Sequence, residues 1–313
     1  MKVLFFGLGS IGQRHATLIK KNFDYELYAF RSGQGPKNGL GLKELHRWDE
    51  VERIRPDVAF ITNPTALHIK TAIQCAKRRM HLFIEKPIDA ATKDLNRLKQ
   101  IVKKNKLSTY VAYCLRFHPV ILELKKILAG TPIYHMRIQA TSFLYRWRKG
   151  SDPKKSYSAR AKMGGGVILD LSHELDYIEF ILGEIQSMKG DFDRRSDVTV
   201  DSEDYADFLI QTKKAPVNLH LNFMSQLNQR IIQVDCKKYS FVADIRKSTL
   251  SEYRDGKLAR KKVFKDSIKE CYVKQLNYFF AHLGKPHMMN DLEEAGGLFE
   301  KICAFKNKGN YRG

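Results

Sequence analysis

Residues 2–32 read KVLFFGLGSIGQRHATLIKKNFDYELYAFRS. The apolar run over 2–6, the turn Gly7-Leu8-Gly9-Ser10-Ile11-Gly12, a helical stretch and a second apolar run over 25–30 predict strand, glycine turn, helix, strand. That is the opening unit of a dinucleotide-binding fold. Each glycine has a separate task there. Gly7 makes the tight bend, Gly9 lets backbone approach a pyrophosphate, and Gly12 lets helix and strand pack closely. The phosphate sits on the helix N-terminus, so Ser10 and Ile11 join the glycines as candidate cofactor contacts.

The residue about twenty positions past the glycines sets the cofactor, because a carboxylate there accepts a ribose hydroxyl of NAD and repels the extra phosphate of NADP. Here it is Arg31, followed by Ser32. A guanidinium beside a hydroxyl suits a phosphate dianion, which favours NADP over NAD. A solvated surface arginine is the competing reading.

At 313 residues the chain fits two domains. Lys and Arg number 55 against 34 Asp and Glu, a formal net charge of +21. Such a balance invites a nucleic-acid reading. Yet the basic residues run from Lys20 to Arg312 in short knots with no long tail, so nucleic acid is a minor alternative and a field that draws in small anions the better one. The five cysteines form no CxxC, which predicts neither disulfides nor a metal site. The chain enters its first strand directly and has no apolar run long enough for a membrane, which predicts a cytoplasmic protein.

Further along, strands are predicted over 58–62, 81–85 and 109–113, with helices over 42–47, 65–79 and 92–105. Alternation of strand and helix predicts a doubly wound parallel sheet in a domain over 1–117. From 118 to 313 the pattern changes. A helix over 120–128 is followed by alternating runs at 134–140, 204–211, 217–223, 230–235 and 240–245, with helices over 167–182, 271–283 and 292–305. This predicts an α+β domain with a large, mostly antiparallel sheet. Residues 306–312 read as a basic tail without a specific role.

Two constellations could carry chemistry. Glu85-Lys86-Pro87 ends a buried strand at the carboxyl edge of the sheet, where ligands of such folds bind. Lys86 there is a candidate to hold and polarise a substrate oxygen, against the alternative of a solvated strand-end lysine. The block Gly164-Gly165-Gly166 through Asp176 places Asp170, His173 and Asp176 on one side of a predicted buried helix. An imidazole held by a carboxylate is a natural proton relay; the alternative is a core histidine salt-bridged to a neighbour. The glycine triplet would let backbone approach a ligand, which favours the relay.

The glycine turn, Thr62-Asn63-Pro64 with His68, Glu85-Lys86-Pro87, Arg116-Phe117-His118-Pro119 and the Gly-Gly-Gly…Asp…His-x-x-Asp block follow one another as in the Gfo/Idh/MocA oxidoreductases, which the chain resembles over nearly its whole length. The resemblance implies a Rossmann domain followed by an α/β domain whose open sheet often makes a dimer or tetramer interface, with substrate bound between them. It implies hydride transfer to or from a sugar, inositol or related compound. Lys86 matches the active-site lysine, expected before a cis proline, and His173 the catalytic histidine. Thr62, Asn63, Pro64 and His68 match the border of the nicotinamide ribose, with Glu85 beside it. Arg116 falls where a substrate- or cofactor-contacting arginine is common.

Asp170 precedes His173 by three residues where many members have four, and Cys114 stands where many carry asparagine. Residues 143–162 are similar to a loop in members linked to bacterial sugar-nucleotide and surface-polysaccharide pathways. Read functionally, Arg146, Trp147, Arg148, Tyr157 and Arg160 form an aromatic and cationic rim for an anionic or nucleotide-bearing sugar; read blandly, they are a solvated basic loop. His15 and Trp48 read as packing residues. Together these features predict an NADP-preferring oxidoreductase of a carbohydrate-type substrate. The rivals are elimination or hydrolysis of a sugar derivative through transient oxidation, and an NADP-binding sensor without catalysis.

Overall fold

The computed structural model describes residues 1–33, 38–146, 160–198, 200–266 and 268–312, which form two compact units. Met1–Tyr113 and Gln275–Phe299 make the first, and Cys114–Lys274 and Glu300–Gly313 the second.

In the first unit, strands β1 (Lys2–Phe6), β2 (Glu26–Phe30), β3 (Lys43–Leu45), β4 (Val58–Ile61), β5 (His81–Ile84) and β6 (Thr109–Val111) are all parallel, in the order β3-β2-β1-β4-β5-β6. Strands buried on both faces read as continuous apolar runs, which is why Val58–Ile61 and Leu82–Ile84 are fully buried. Helices α1 (Ser10–Asn22), α2 (Trp48–Ile54), α3 (His68–Lys77) and α4 (Leu95–Asn105) connect them. The order reverses between β1 and β4, the switch point outside which ligands of open α/β sheets bind. Phe60 stacks on Phe83 at 4.4 Å between ring centroids, and Phe279 meets Phe83 edge-on at 5.3 Å.

One predicted helix is a strand. Residues 42–47 contain β3, in which Glu44 faces Ala29 and Leu45 faces Phe30. Leu42 and Leu45 are both buried, and their three-residue spacing imitates a helical stripe in a segment too short to show period two.

In the second unit a nine-stranded sheet runs β14-β13-β12-β11-β7-β10-β9-β8-β15. Its strands are β7 (Ile133–Phe143), β8 (Ile185–Asp193), β9 (Tyr205–Thr212), β10 (Pro216–Asn222), β11 (Met224–Cys236), β12 (Ser240–Asp244), β13 (Thr249–Arg254), β14 (Lys257–Val263) and β15 (Asn310–Arg312). Among the described residues of this sheet only β7 and β10 pair in parallel. Helices α5 (Pro119–Leu128), α6 (Val167–Asp170) and α7 (His173–Leu182) belong to this unit. Helix α8 (Ile268–His282) gives its residues from Gln275 onward to the first unit, and α9 (Leu292–Lys308) gives those up to Phe299.

Two further readings change here. The predicted helix over 167–182 is broken at Leu171-Ser172, so Asp170 ends α6 and His173 begins α7. The predicted tail over 306–312 is ordered: Lys306 lies in α9 with its ammonium 2.7 Å from Glu203, and Tyr311 in β15 pairs with Met188 of β8. Among the described residues no helix is long and apolar enough to cross a membrane.

Candidate functional site

The turn between β1 and α1 separates the three glycines by what surrounds them. Gly7 has φ of +96°, and a Cβ there would lie 2.6 Å from the Asn63 backbone. A Cβ on Gly12 would lie 2.2 Å from the Gly7 carbonyl oxygen and 2.8 Å from Thr62 Oγ1. The Thr62 hydroxyl donates to the Gly7 carbonyl at 2.6 Å, closing the turn against the end of β4. Around the missing Cβ of Gly9 there is nothing within 4 Å. Gly7 and Gly12 are therefore required by packing, and Gly9 leaves open space in front of the first turn of α1. Helix N-termini present N–H groups without intrahelical partners, so this space suits a pyrophosphate. Ser10 is exposed and Ile11 half-buried at its edge.

A cleft of about 490 Å³ opens beside the turn, with Phe6, Gly7, Trp48, Asn63, Leu67 and Lys70 among its walls. Trp48 packs on Phe30 at 4.9 Å and on Phe6 at 5.6 Å, so the residue read as packing also walls the cleft. Asn63 donates from Nδ2 to Thr71 Oγ1 at 2.9 Å, while its buried Oδ1 has no partner among the described residues. An orphaned acceptor beside an open glycine turn fits a hydroxyl-bearing dinucleotide. Pro64 opens the short 3-10 turn Thr65–Leu67, which leads into α3.

His68 joins two loops. Its Nε2 lies 2.8 Å from the Asn63 carbonyl oxygen and its Nδ1 3.0 Å from that of Pro87, so both ring nitrogens meet protein backbone. The Lys86-Pro87 peptide is cis, as the resemblance implies. Lys86 is half-buried at the carboxyl end of β5. Beside it, Glu85 is buried, with Oε1 2.6 Å from His15 Nε2 and Oε2 accepting the Lys86 N–H at 3.2 Å. His15 thus has a polar partner that its reading as a packing residue omitted.

At the end of β2, Arg31 Nη1 lies 2.8 Å from Glu44 Oε1. Ser32 is exposed next to it.

The second unit holds the other constellation. Arg116, 3% exposed, makes a forked contact with Asp176, at 3.0 and 3.1 Å from Nε and 2.8 Å from Nη2. It also lies 5.0 Å from the Phe180 ring centroid. Asp176, read as a possible partner of His173, makes this forked contact with Arg116. Asp170 and His173 are buried at 3% and 8% exposure. The glycine triplet serves the protein itself at Gly166, which has φ of +113° and whose missing Cβ would lie 2.5 Å from Glu203 Oε1. Next to His173, Glu174 is fully buried against Arg230 at 2.6 Å, a pair the sequence reading did not find. His118 is buried too, and burial together with the Arg230 and Lys274 charges, against Asp266, pulls its imidazole down to about 4.

Trp147, Arg148 and Tyr157 lie outside the described residues. Of the remaining rim, Arg146 donates to the Gln226 carbonyl at 3.3 Å and Arg160 is exposed. Among the described residues no cluster of His, Cys, Asp or Glu could hold a metal ion.

Residues 1–113 match the family model described as an oxidoreductase family with an NAD-binding Rossmann fold, and residues 122–242 match the GFO/IDH/MocA C-terminal domain. A myo-inositol 2-dehydrogenase of Thermotoga maritima is 27% identical over 193 residues, 59% of this chain and 55% of that protein. A 2,7-anhydro-N-acetylneuraminate hydratase of Escherichia coli is 25% identical over 132 residues, 41% of this chain and 34% of that protein. The chain thus spans about half the length, or less, of the curated relatives it matches. In fold it is similar to the WlbA dehydrogenase of Bordetella pertussis in complex with NADH and UDP-GlcNAcA, with a TM-score of 0.80, 15% identity, and coverage of 100% of this chain and 98% of that one. By both domain matches and by the order of its motifs, the chain belongs to the Gfo/Idh/MocA family.

Proposed function

We propose that this chain is a nicotinamide-dependent oxidoreductase that moves hydride between the cofactor and a carbon of a sugar, amino sugar or sugar-nucleotide. The observation that carries the reading is the glycine turn: Gly7 and Gly12 are locked by packing, and Gly9 alone faces open space before a helix N-terminus. When bound there, the nicotinamide cofactor supplies the hydride acceptor or donor.

The chain's own residues supply the rest. Gly9, Ser10 and Ile11 meet the pyrophosphate on a turn that Gly7 and Gly12 shape, and Thr62, Asn63 and Pro64 border the nucleotide, with the Asn63 Oδ1 accepting a hydroxyl. His68 and Glu85 act indirectly, because the first pins the Asn63 and Pro87 loops together and the second fixes the peptide of Lys86. Lys86 donates to the substrate oxygen. His173 takes the hydroxyl proton during oxidation and returns it during reduction, and Asp170, three residues before it in sequence, is its candidate carboxylate. Arg116 serves this arrangement by holding Asp176 on α7.

Arg31 and Ser32 support NADP(H), since a guanidinium and a hydroxyl suit the 2′-phosphate. Copies of the chain associate through the face of the nine-stranded sheet on which Leu209 is exposed. The relatives named for inositol and UDP-sugar chemistry support the substrate class. The relative named as a hydratase supports a second reading, in which the same groups oxidise a sugar transiently to eliminate or add water with no net redox.

The test is incubation with NAD⁺ or NADP⁺ and a panel of inositols, UDP-sugars and amino sugars, following the absorbance of reduced nicotinamide and, in parallel, the products. Accumulation of reduced cofactor with one of these substrates supports net oxidation. Product without accumulation selects the second reading, and no turnover of any of them contradicts the proposed substrate class.

A further inference from the structure

At the end of β2 this chain carries Arg31 where dinucleotide folds that use NAD place a carboxylate. A carboxylate nevertheless reaches the same place from the neighbouring strand. Glu44 lies on β3, paired with Ala29 two residues before Arg31. Its Oε1 accepts from Arg31 Nη1 at 2.8 Å, from the Asn38 N–H at 2.7 Å and from Asn38 Nδ2 at 2.7 Å. These hydrogen bonds all fall on one oxygen, so Oε2 faces no donor among the described residues. The Arg31 backbone is fixed as well, since its N–H donates to the Leu45 carbonyl at 2.9 Å and His46 Nδ1 lies 3.1 Å from its carbonyl oxygen.

We infer that Glu44 is the residue that sets the balance between NAD(H) and NADP(H). The inference rests on the cofactor reading of Arg31 given above. A 2′-phosphate that engages Arg31 must compete with Glu44 for the guanidinium and approach its negative charge. A ribose that lacks the phosphate meets instead an oxygen able to accept its 2′-hydroxyl. The two Asn38 hydrogen bonds, and after them Arg31, hold the Glu44 carboxyl down to about 2, so it is ionised throughout the neutral range. The Arg31–Glu44 pair therefore presents almost no net charge to the nucleotide, which narrows the advantage that an arginine alone would give NADP(H).

The experiment is titration of NADH and NADPH, followed by nucleotide fluorescence, into wild type, Glu44→Gln, Arg31→Ala and the double variant. The ratio of the two affinities within one protein is independent of the fraction that is correctly folded. Glu44→Gln keeps an amide to meet Asn38 and removes the charge, and it is expected to shift the ratio about tenfold toward NADPH. In the Arg31→Ala background the same change is expected to shift the ratio less than about threefold. An unchanged ratio in Glu44→Gln overturns the role of Glu44, even where Arg31→Ala weakens NADPH and so upholds the phosphate reading of Arg31. An unchanged ratio in Arg31→Ala overturns that reading, and a shift in Glu44→Gln beside it shows Glu44 acting on the nucleotide directly.

Discussion

His15 Nε2 lies 2.6 Å from Glu85 Oε1, and this buried pair ties the helix after the glycine turn to the strand end that carries Lys86. Removing one partner of a buried pair leaves the other without compensation in a dry environment. His15→Ala is therefore expected to cost about 3 kcal/mol in urea unfolding. Adding Glu85→Leu to His15→Ala should recover part of that loss, because no buried carboxylate is then left behind. A single variant as stable as wild type would contradict the pairing.

Gly9 and Gly12 should respond in opposite ways to alanine. At Gly12 the new methyl group meets the Gly7 carbonyl, and overpacking is expected to lower stability by about 2 kcal/mol. At Gly9 the backbone has φ of −67° and the space is open, so Gly9→Ala should unfold at the wild-type temperature while binding NADH about tenfold more weakly. Equal cofactor affinity in Gly9→Ala and wild type would remove the pyrophosphate from this turn.

Gly166 is held against Glu203 at positive φ, so Gly166→Ala combines a strained backbone with a collision. The expected loss is about 2 kcal/mol. In a Glu203→Ala background the collision disappears and only the strain remains, so the same substitution should cost roughly half as much. Equal costs in both backgrounds, measured by urea unfolding, would show that the carboxylate does not limit this position.

His118 gives the second unit a dependence on pH. Its imidazole is held at about 4 in the fold, below its ordinary value of 6.5, first by burial and then by the Arg230 and Lys274 charges. Between these values the unfolded chain binds the proton and the folded chain does not, so stability rises with pH and falls as the medium is acidified from 6.5 toward 4. Between pH ~7 and ~5 the loss from this group is about 2 kcal/mol. His118→Gln should flatten that part of the stability profile, and an unchanged slope would contradict the depressed imidazole.

The first sheet was legible because β4 is apolar throughout, β1 and β5 are apolar after their first residue, and helices of ordinary length separate them. β3 was not, because Leu42 and Leu45 share a spacing with helices and only the pairing of Lys43–Leu45 to β2 makes a strand. β14 shows no apolar alternation at all; its residues are mostly exposed, and its register with β13 comes from the sheet. In the candidate site, residue types at Gly7, Lys86 and His173 could be read locally. Their partners could not. Asp176 meets Arg116 across sixty residues, and Glu85 meets His15 across seventy, distances over which no periodicity carries information. The break between α6 and α7 was hidden as well, since Leu171 carries the apolar character of Val167–Leu169 past Asp170 and the helix ends there without glycine or proline.

Hydride transfer with Lys86 and His173 as the working groups is put to the test by turnover in Lys86→Ala and His173→Ala with the first substrate found to reduce the cofactor. Each variant is expected to lose about a hundredfold or more in kcat while binding NADH within about threefold of wild type. Wild-type turnover in either variant would contradict it.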